Sequence, residues 1–348
     1  MSKSAVQKKQ SAKFSYTDVL KNLFPWKGDS VKEIIRKTVF LIAVTVFGVC
    51  AFLIFEYFYE NFKNNSMYHD IQKDIPQLSE LVQNDAENSY EDEEMLSYMK
   101  TLVDMNPDVV GYIQIPDKNG SCKDSGVDYP VVQKREESER DFYLDHNFRG
   151  EEARAGSIYL DYRNVLSSRE RSGNLIIYGH EMSDGSMFGK LKNYYTDSYF
   201  YEEHPLILLS SRYEVSTYKI FGYYYADGGE GDCEFFYTDK TDFGSEDEFY
   251  DYVNQIKRRA LAENNVDVKY GDELLTLSTC ITGAYTDARF VVAARKLRPG
   301  EDEYAGTEES RTRENPLMPL EWYKARGEEK NYDDTDFEIG RASCRERV

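Results

Sequence analysis

A chain of 348 residues that is 41% hydrophobic and 14% aromatic has enough apolar side chain to bury a core, which excludes wholesale disorder and favours one folded domain with attachments. Its 63 Asp+Glu against 43 Lys+Arg leave a net charge of −20, and an acidic surface repels phosphate backbones, so no nucleic acid is expected among its partners. The charge is uneven, because Met1–Lys37 carries nine Lys/Arg and three Asp/Glu, a local surplus of +6.

Residues 1–37 therefore read as a basic cytoplasmic segment, and residues 38–58 as a transmembrane anchor. Val39–Phe55 contains no charged residue and, with its flanks, approaches the ~20 residues that span a bilayer. A buried core helix would show a polar face, and a cleavable signal would end at a small-x-small site, which Glu56–Glu60 does not offer. Lys21, Lys27, Lys32, Arg36 and Lys37 on one side, against Glu56 and Glu60 on the other, place the N-terminus inside and the remainder outside the cell membrane.

Residues 59–104 form an acidic stalk, with Asp85, Glu87 and Glu91–Glu94 as a solvated run, that passes into a helix carrying Met95, Leu96, Tyr98, Met99 and Leu102 at helical spacing. Between 105 and 298 the texture becomes β-like. The runs Val109–Ile115, Val127–Gln133, Ser157–Asp161, Asn174–Tyr178, Leu206–Ser210, Glu214–Tyr225, Leu274–Thr279 and Phe290–Lys296 are rich in Val, Ile, Tyr or Phe and predict a barrel or sandwich. Ser245–Glu263 interrupts them as a helix, with Phe249, Val253, Ile256 and Ala260 on one face. Residues 299–348 are a polar tail in which only Leu317–Tyr323 has the apolar content to dock. Glu338–Val348 back-translates readily to a sequencing-adaptor string, so these residues, Cys344 included, are expected to be foreign to the natural chain, whose own C-terminus would then be missing.

The five cysteines show no metal-type spacing and imply no disulfide framework; Cys122 and Cys233 could pair in an oxidising exterior, but the reading favoured is two buried or idle thiols. The acidic stretch Asp227–Asp232 fits no calcium loop, and neither metal nor cofactor is expected. Among four histidines, His69 lies in the stalk and His146 and His204 among charged loop residues, whereas His180 follows the run Asn174–Tyr178 directly. A strand running into a Gly-containing loop delivers an imidazole to the rim of a sheet. Cys280 likewise ends the run Leu274–Thr279, and Arg289 opens the next one. Antiparallel neighbours would set thiol and guanidinium side by side, the electropositive setting that reactive cysteines need.

These residues resemble the sortases, particularly class B. YGH with SMFGKL at Ser186–Leu191, then TLSTC, then an Arg in the following strand are marks of that family, and NPDVVGYIQIP at Asn106–Pro116, VDYPVVQ at Val127–Gln133, FYLDHNF at Phe142–Phe148 and AGSIYLD at Ala155–Asp161 are similar to its segments in the same order. The resemblance spans about Asn106–Leu297. It implies a mainly β protein, a closed eight-stranded barrel with N-terminal helices and an inserted helix behind a single-pass anchor. It implies a cysteine transpeptidase with Cys280 as nucleophile, His180 as proton partner and Arg289 as cationic helper, with a backbone N–H near Cys280 as second oxyanion donor. The partners so implied are surface proteins bearing an NPxTN-like or LPxTG-like sorting motif, cleaved after Thr, and a peptidoglycan precursor amine. Leu144, Tyr178 and Ser278 match the family's motif-contacting positions, while Arg140 stands where the family often has Asn. Two other readings use the same chain: a surface cysteine peptidase that hydrolyses, and an anchored binding module without activity.

Overall fold

The computed structural model describes residues 16–82, 94–167, 170–228 and 235–329. Asp85, Glu87, Glu91, Asp92 and Glu93 of the acidic stalk, Asp232 and Cys233, and the tail 338–348 with Cys344 lie outside the described residues. Two compact units are present, Met1–Lys63 and Asn64–Val348. In the first, α1 (Tyr16–Leu23) precedes α2 (Val31–Gln72), which Ser30 caps by accepting the Glu33 N–H at 3.3 Å. Along α2 the uncharged stretch keeps its apolar side chains outward, with Val39 60%, Phe47 74% and Phe55 65% exposed. The helix runs on well past residue 58, since neither Gly nor Pro occurs between residue 58 and Pro76. Its last turns belong to the second unit, where Tyr68 and Ile71 are buried.

The second unit continues with α3 (Leu78–Val82) and α4 (Ser97–Met105) and then builds a barrel. Its chain order is β1 (Val109–Gln114), β2 (Asp128–Val132), β3 (Ile158–Leu160), β4 (Asn174–Tyr178), α5 (Asn193–Thr196), α6 (Phe200–Glu203), β5 (Leu206–Ser211), β6 (Val215–Asp227), α7 (Glu246–Arg259), β7 (Ala262–Glu263), β8 (Leu274–Cys280), β9 (Ala288–Lys296), β10 (Arg311–Thr312) and α8 (Leu320–Arg326). Eight strands close in the order β1-β2-β3-β4-β8-β9-β6-β5, and closure leaves no free edge. The β2–β3 and β4–β8 pairs are parallel and the others antiparallel. Alternation sorts the residues: Leu275, Leu277, Val292 and Ala294 enter the main core, whereas Leu274, Val291 and Ala293 form a second core with Phe249, Val253 and Ile256 of α7.

Helix α7 is capped by Ser245, whose Oγ accepts the Glu248 N–H at 3.2 Å, and carries acids in its first turn and Lys257, Arg258 and Arg259 in its last. It stops four residues short of the expected Glu263. Ala260 is extended, the Leu261 N–H donates to the Tyr223 carbonyl at 2.9 Å, and β7 pairs with β10, so strand pairing takes residues whose pattern suits a helix. The tail docks more widely than its polarity suggests. Leu317, Met318 and Tyr323 are buried as expected, but Glu301 also pairs with Lys219 and Arg295, both of zero exposure. A charged tail reads as solvated unless its charged partners are known to lie inside.

Candidate active site

The site grows from two parallel strands that end level. Tyr178 of β4 pairs with Ser278 of β8, and the Gly179 N–H donates to the Ser278 carbonyl at 3.1 Å. Because Leu175, Ile177, Leu275 and Leu277 point into the core, Tyr178 and Ser278 take the outer face, and His180 and Cys280 follow two residues on. Across the antiparallel β8–β9 pair, Cys280 stands opposite Arg289, which puts their side chains on one face. All three residues line one cleft of about 540 Å³. The thiol is exposed; the imidazole and guanidinium are half-buried.

The imidazole and the guanidinium are each held by backbone carbonyls. His180 Nε2 lies 2.7 Å from the Leu144 carbonyl oxygen. A carbonyl only accepts, so Nε2 carries hydrogen and Nδ1 is the ring nitrogen left for proton exchange. Leu144 ends a 3₁₀ turn, Phe142–Leu144, and behind it Gly156 adopts φ +55° with no room for a Cβ against the Tyr143 and Leu144 carbonyls. Arg289 Nη1 donates to the carbonyls of Asp287 at 3.3 Å and Ala288 at 3.2 Å. Its guanidinium lies against Gly228, where a Cβ would come 2.5 Å from Cζ and push the guanidinium from this position.

One wall of the cleft is the segment 236–239 before α7. Arg163 donates to the Thr238 carbonyl at 2.7 Å, Tyr252 to that of Tyr237 at 2.6 Å and Asn174 Nδ2 to that of Lys240 at 2.8 Å, which pins this segment to the barrel. Asp161 organises the floor, receiving the Arg163 guanidinium at 2.8 Å from both Nε and Nη2 and the Tyr178 hydroxyl at 2.9 Å. Burial opposes the Asp161 charge, yet Arg163 and Tyr178 together hold its carboxyl below the usual carboxylate range.

The sortase domain family matches residues 121–297. Sortase B of Listeria monocytogenes is 32% identical over 269 residues, covering 76% of this chain and 98% of that protein. The Staphylococcus aureus sortase B–substrate complex superposes with a TM-score of 0.55 at 27% identity, covering 70% of this chain and 100% of that one, and sortase B from B. anthracis in complex with AAEK1 with 0.53 at 28%, covering 69% and 99%. The chain belongs to the class B sortases. It is accordingly a cysteine transpeptidase of the kind that anchors surface proteins, on the closed eight-stranded barrel that the resemblance implied.

Within this sortase, Leu144, Tyr178 and Ser278 all line the cleft. Only Leu144, 42% exposed, offers an unencumbered side chain, because the Tyr178 hydroxyl is given to Asp161 and the Ser278 Oγ shares a 2.7 Å hydrogen bond with the Tyr237 hydroxyl. Arg140 also reaches the cleft, its Nε 3.3 Å from Asp141. The other histidines stand apart from this lining: His146 stacks on Phe142 and binds the Phe142 carbonyl, and His204 is buried against Phe200, where burial lowers its basicity. Cys122 is a free thiol in a separate pocket of about 390 Å³, and burial pushes its ionisation up, as an idle thiol requires. The backbone N–H expected near Cys280 meets a difficulty. Ile281 N–H donates to the Ala288 carbonyl at 3.1 Å and Thr282 N–H to Glu181 at 2.7 Å, so both groups following the cysteine are already engaged. Asp161, Arg163 and Tyr237 carry no signal of this role in the sequence, because the groups they brace, the Tyr178 hydroxyl, the Thr238 carbonyl and the Ser278 hydroxyl, are distant from them in the chain.

Proposed function

We propose that this sortase cleaves a C-terminal sorting signal after Thr through a thioester on Cys280 and transfers the Thr carbonyl to a cell-wall amine. The observation that carries the reading is the joint placement of Cys280, His180 and Arg289 at adjoining strand ends in one cleft. The Cys280 thiolate adds to the Thr carbonyl carbon, and the Arg289 guanidinium neutralises the developing oxyanion. Collapse breaks the C–N bond as His180 Nδ1–H gives its proton to the departing amine. The acceptor amine then attacks the thioester and surrenders a proton to Nδ1, and the thiolate leaves. Leu144, Tyr178 and Ser278 flank the bound signal, Leu144 by apolar contact and the other two as a braced floor.

The same reading places α2 across the membrane. Residues 38–58 rise ~1.5 Å each, giving ~31 Å, close to the ~30 Å hydrocarbon core, and their outward apolar side chains suit lipid. The basic residues before Val39 keep the N-terminus inside, with the barrel outside.

The test uses the full chain in detergent with peptides carrying NPxTN-like and LPxTG-like motifs, with and without an amine acceptor, read by mass spectrometry. A thioacyl adduct on Cys280 and an amide product, both lost in Cys280→Ala, are expected. Cleavage giving only the free acid in the presence of amine would mean a hydrolase, and absence of any acyl adduct would mean a binding module.

A further inference from the structure

We infer that Glu181 is a positioning residue that couples the exit of the nucleophile strand to the exit of the histidine strand. The inference rests on the reading of Cys280 and His180 given above. The β4–β8 ladder ends at the Gly179 N–H, and from there the two chains diverge, one into the loop after His180 and the other into residues 281–287. Glu181 follows His180 directly, and its Oε2 accepts the N–H of Thr282, two residues past Cys280, at 2.7 Å. Its other oxygen lies 3.4 Å from Lys192 Nζ, and the side chain is only 10% exposed. Glu181 does not line the cleft, so it acts through the backbone on either side of it.

The histidine side of this link is itself closed. Glu181 forms an isolated antiparallel bridge with Met187, and the Phe188 N–H donates to the His180 carbonyl at 2.9 Å. The nucleophile side is held by the Ile281 N–H to the Ala288 carbonyl and by the Tyr285 hydroxyl on the Ala226 carbonyl at 2.8 Å. A carboxylate accepting an N–H makes a charge-assisted bond, stronger than a neutral one. It therefore ties the loop that follows Cys280 to the segment beside His180, one residue from the imidazole. Gln at 181 keeps an acceptor oxygen in place; Ala removes it.

The experiment measures acylation of the full chain by a sorting peptide under single-turnover conditions, together with KM. Glu181→Ala is expected to slow acylation by about 10- to 100-fold, the effect of a small misplacement of reacting groups. KM should stay within about twofold, and Glu181→Gln should recover acylation to within about threefold of the parent. Thr282→Pro, which deletes the donor and leaves Glu181 intact, should reproduce the loss, and combining it with Glu181→Ala should add nothing further. Unchanged acylation in Glu181→Ala, a Gln variant as slow as the Ala variant, or a loss confined to KM would each overturn the inference. Transfer that persists in Cys280→Ala would instead overturn the site assignment, and this inference with it.

Discussion

Replacing Gly156 by Ala separates the strain of a left-handed backbone from the loss of the imidazole's support. Gly156 has φ +55°, and a Cβ there would sit 2.7 Å from the Tyr143 carbonyl oxygen and closer still to that of Leu144. Real Cβ contacts scarcely fall below 3.0 Å, so the carbonyl that accepts the His180 Nε2–H must withdraw. The left-handed conformation alone costs an L side chain ~1–2 kcal/mol, which thermal or chemical unfolding would register. The hydrogen bond to His180 contributes ~0.5–1.5 kcal/mol, so its loss slows acylation by about two- to thirteenfold, before any further misplacement. Gly150 supplies the control, since it has φ +74° and nothing within 4 Å of its Cβ position. Gly150→Ala should lose comparable stability and keep its acylation rate. Equal effects of the two substitutions on acylation, or an unaffected rate in Gly156→Ala, would refute the argument that the Leu144 carbonyl sets the imidazole.

The charged cluster at the opposite end of the barrel supplies a second prediction. Glu301→Ala takes one carboxylate from the fully buried Lys219 and Arg295, leaving Arg295 with Asp267 and Asp272, and should cost ~1.5–3 kcal/mol in urea unfolding, while a loss below ~1 kcal/mol would mean the cluster is solvated. Arg295 above all depresses the Glu301 carboxyl, so its contribution is complete above the ordinary carboxylate range and is lost as pH falls toward the depressed folded value; the parent should lose more stability on acidification than Glu301→Gln. Lys257 behaves oppositely. Burial pushes its ammonium down to about 8, so below pH 8 the folded state carries a disfavoured charge, and stability rises as pH climbs from about 8 toward the unfolded value near 10.5. Lys257→Met should therefore raise stability at pH 7 by ~1–3 kcal/mol less the hydrogen bond to the Val266 carbonyl, seen as a higher Tm, and the advantage should shrink by pH 9.5; a lower Tm at pH 7 would show that bond outweighs the burial.

All eight barrel strands coincide with apolar runs that can be read from the chain, because β-branched and aromatic residues fill both the main core and the layer under α7. The reading fails where long-range pairing competes with local pattern. Residues 260–263 continue the pattern of α7 and yet leave the helix, since Leu261 and β7 find partners on β6 and β10. Lys219 and Arg295 sit in strands and are fully buried, which the usual exclusion of charge from cores argues against, and their partner lies in a tail that looked solvated.

The same division runs through the site. Cys280, His180 and Arg289 are legible because they are uncommon residue types at the ends of strands, where ladder register fixes which side chains become neighbours. Around them lie a Leu144 carbonyl on the imidazole, a missing Cβ at Gly156, and a Thr282 N–H bound to Glu181. Every residue has a carbonyl and nearly every one an N–H, so their positions carry no signature in composition or spacing. Chemistry-bearing groups can thus be located from the chain, whereas the geometry that decides whether a thiolate and an imidazole meet within a fraction of an ångström depends on backbone far away in sequence.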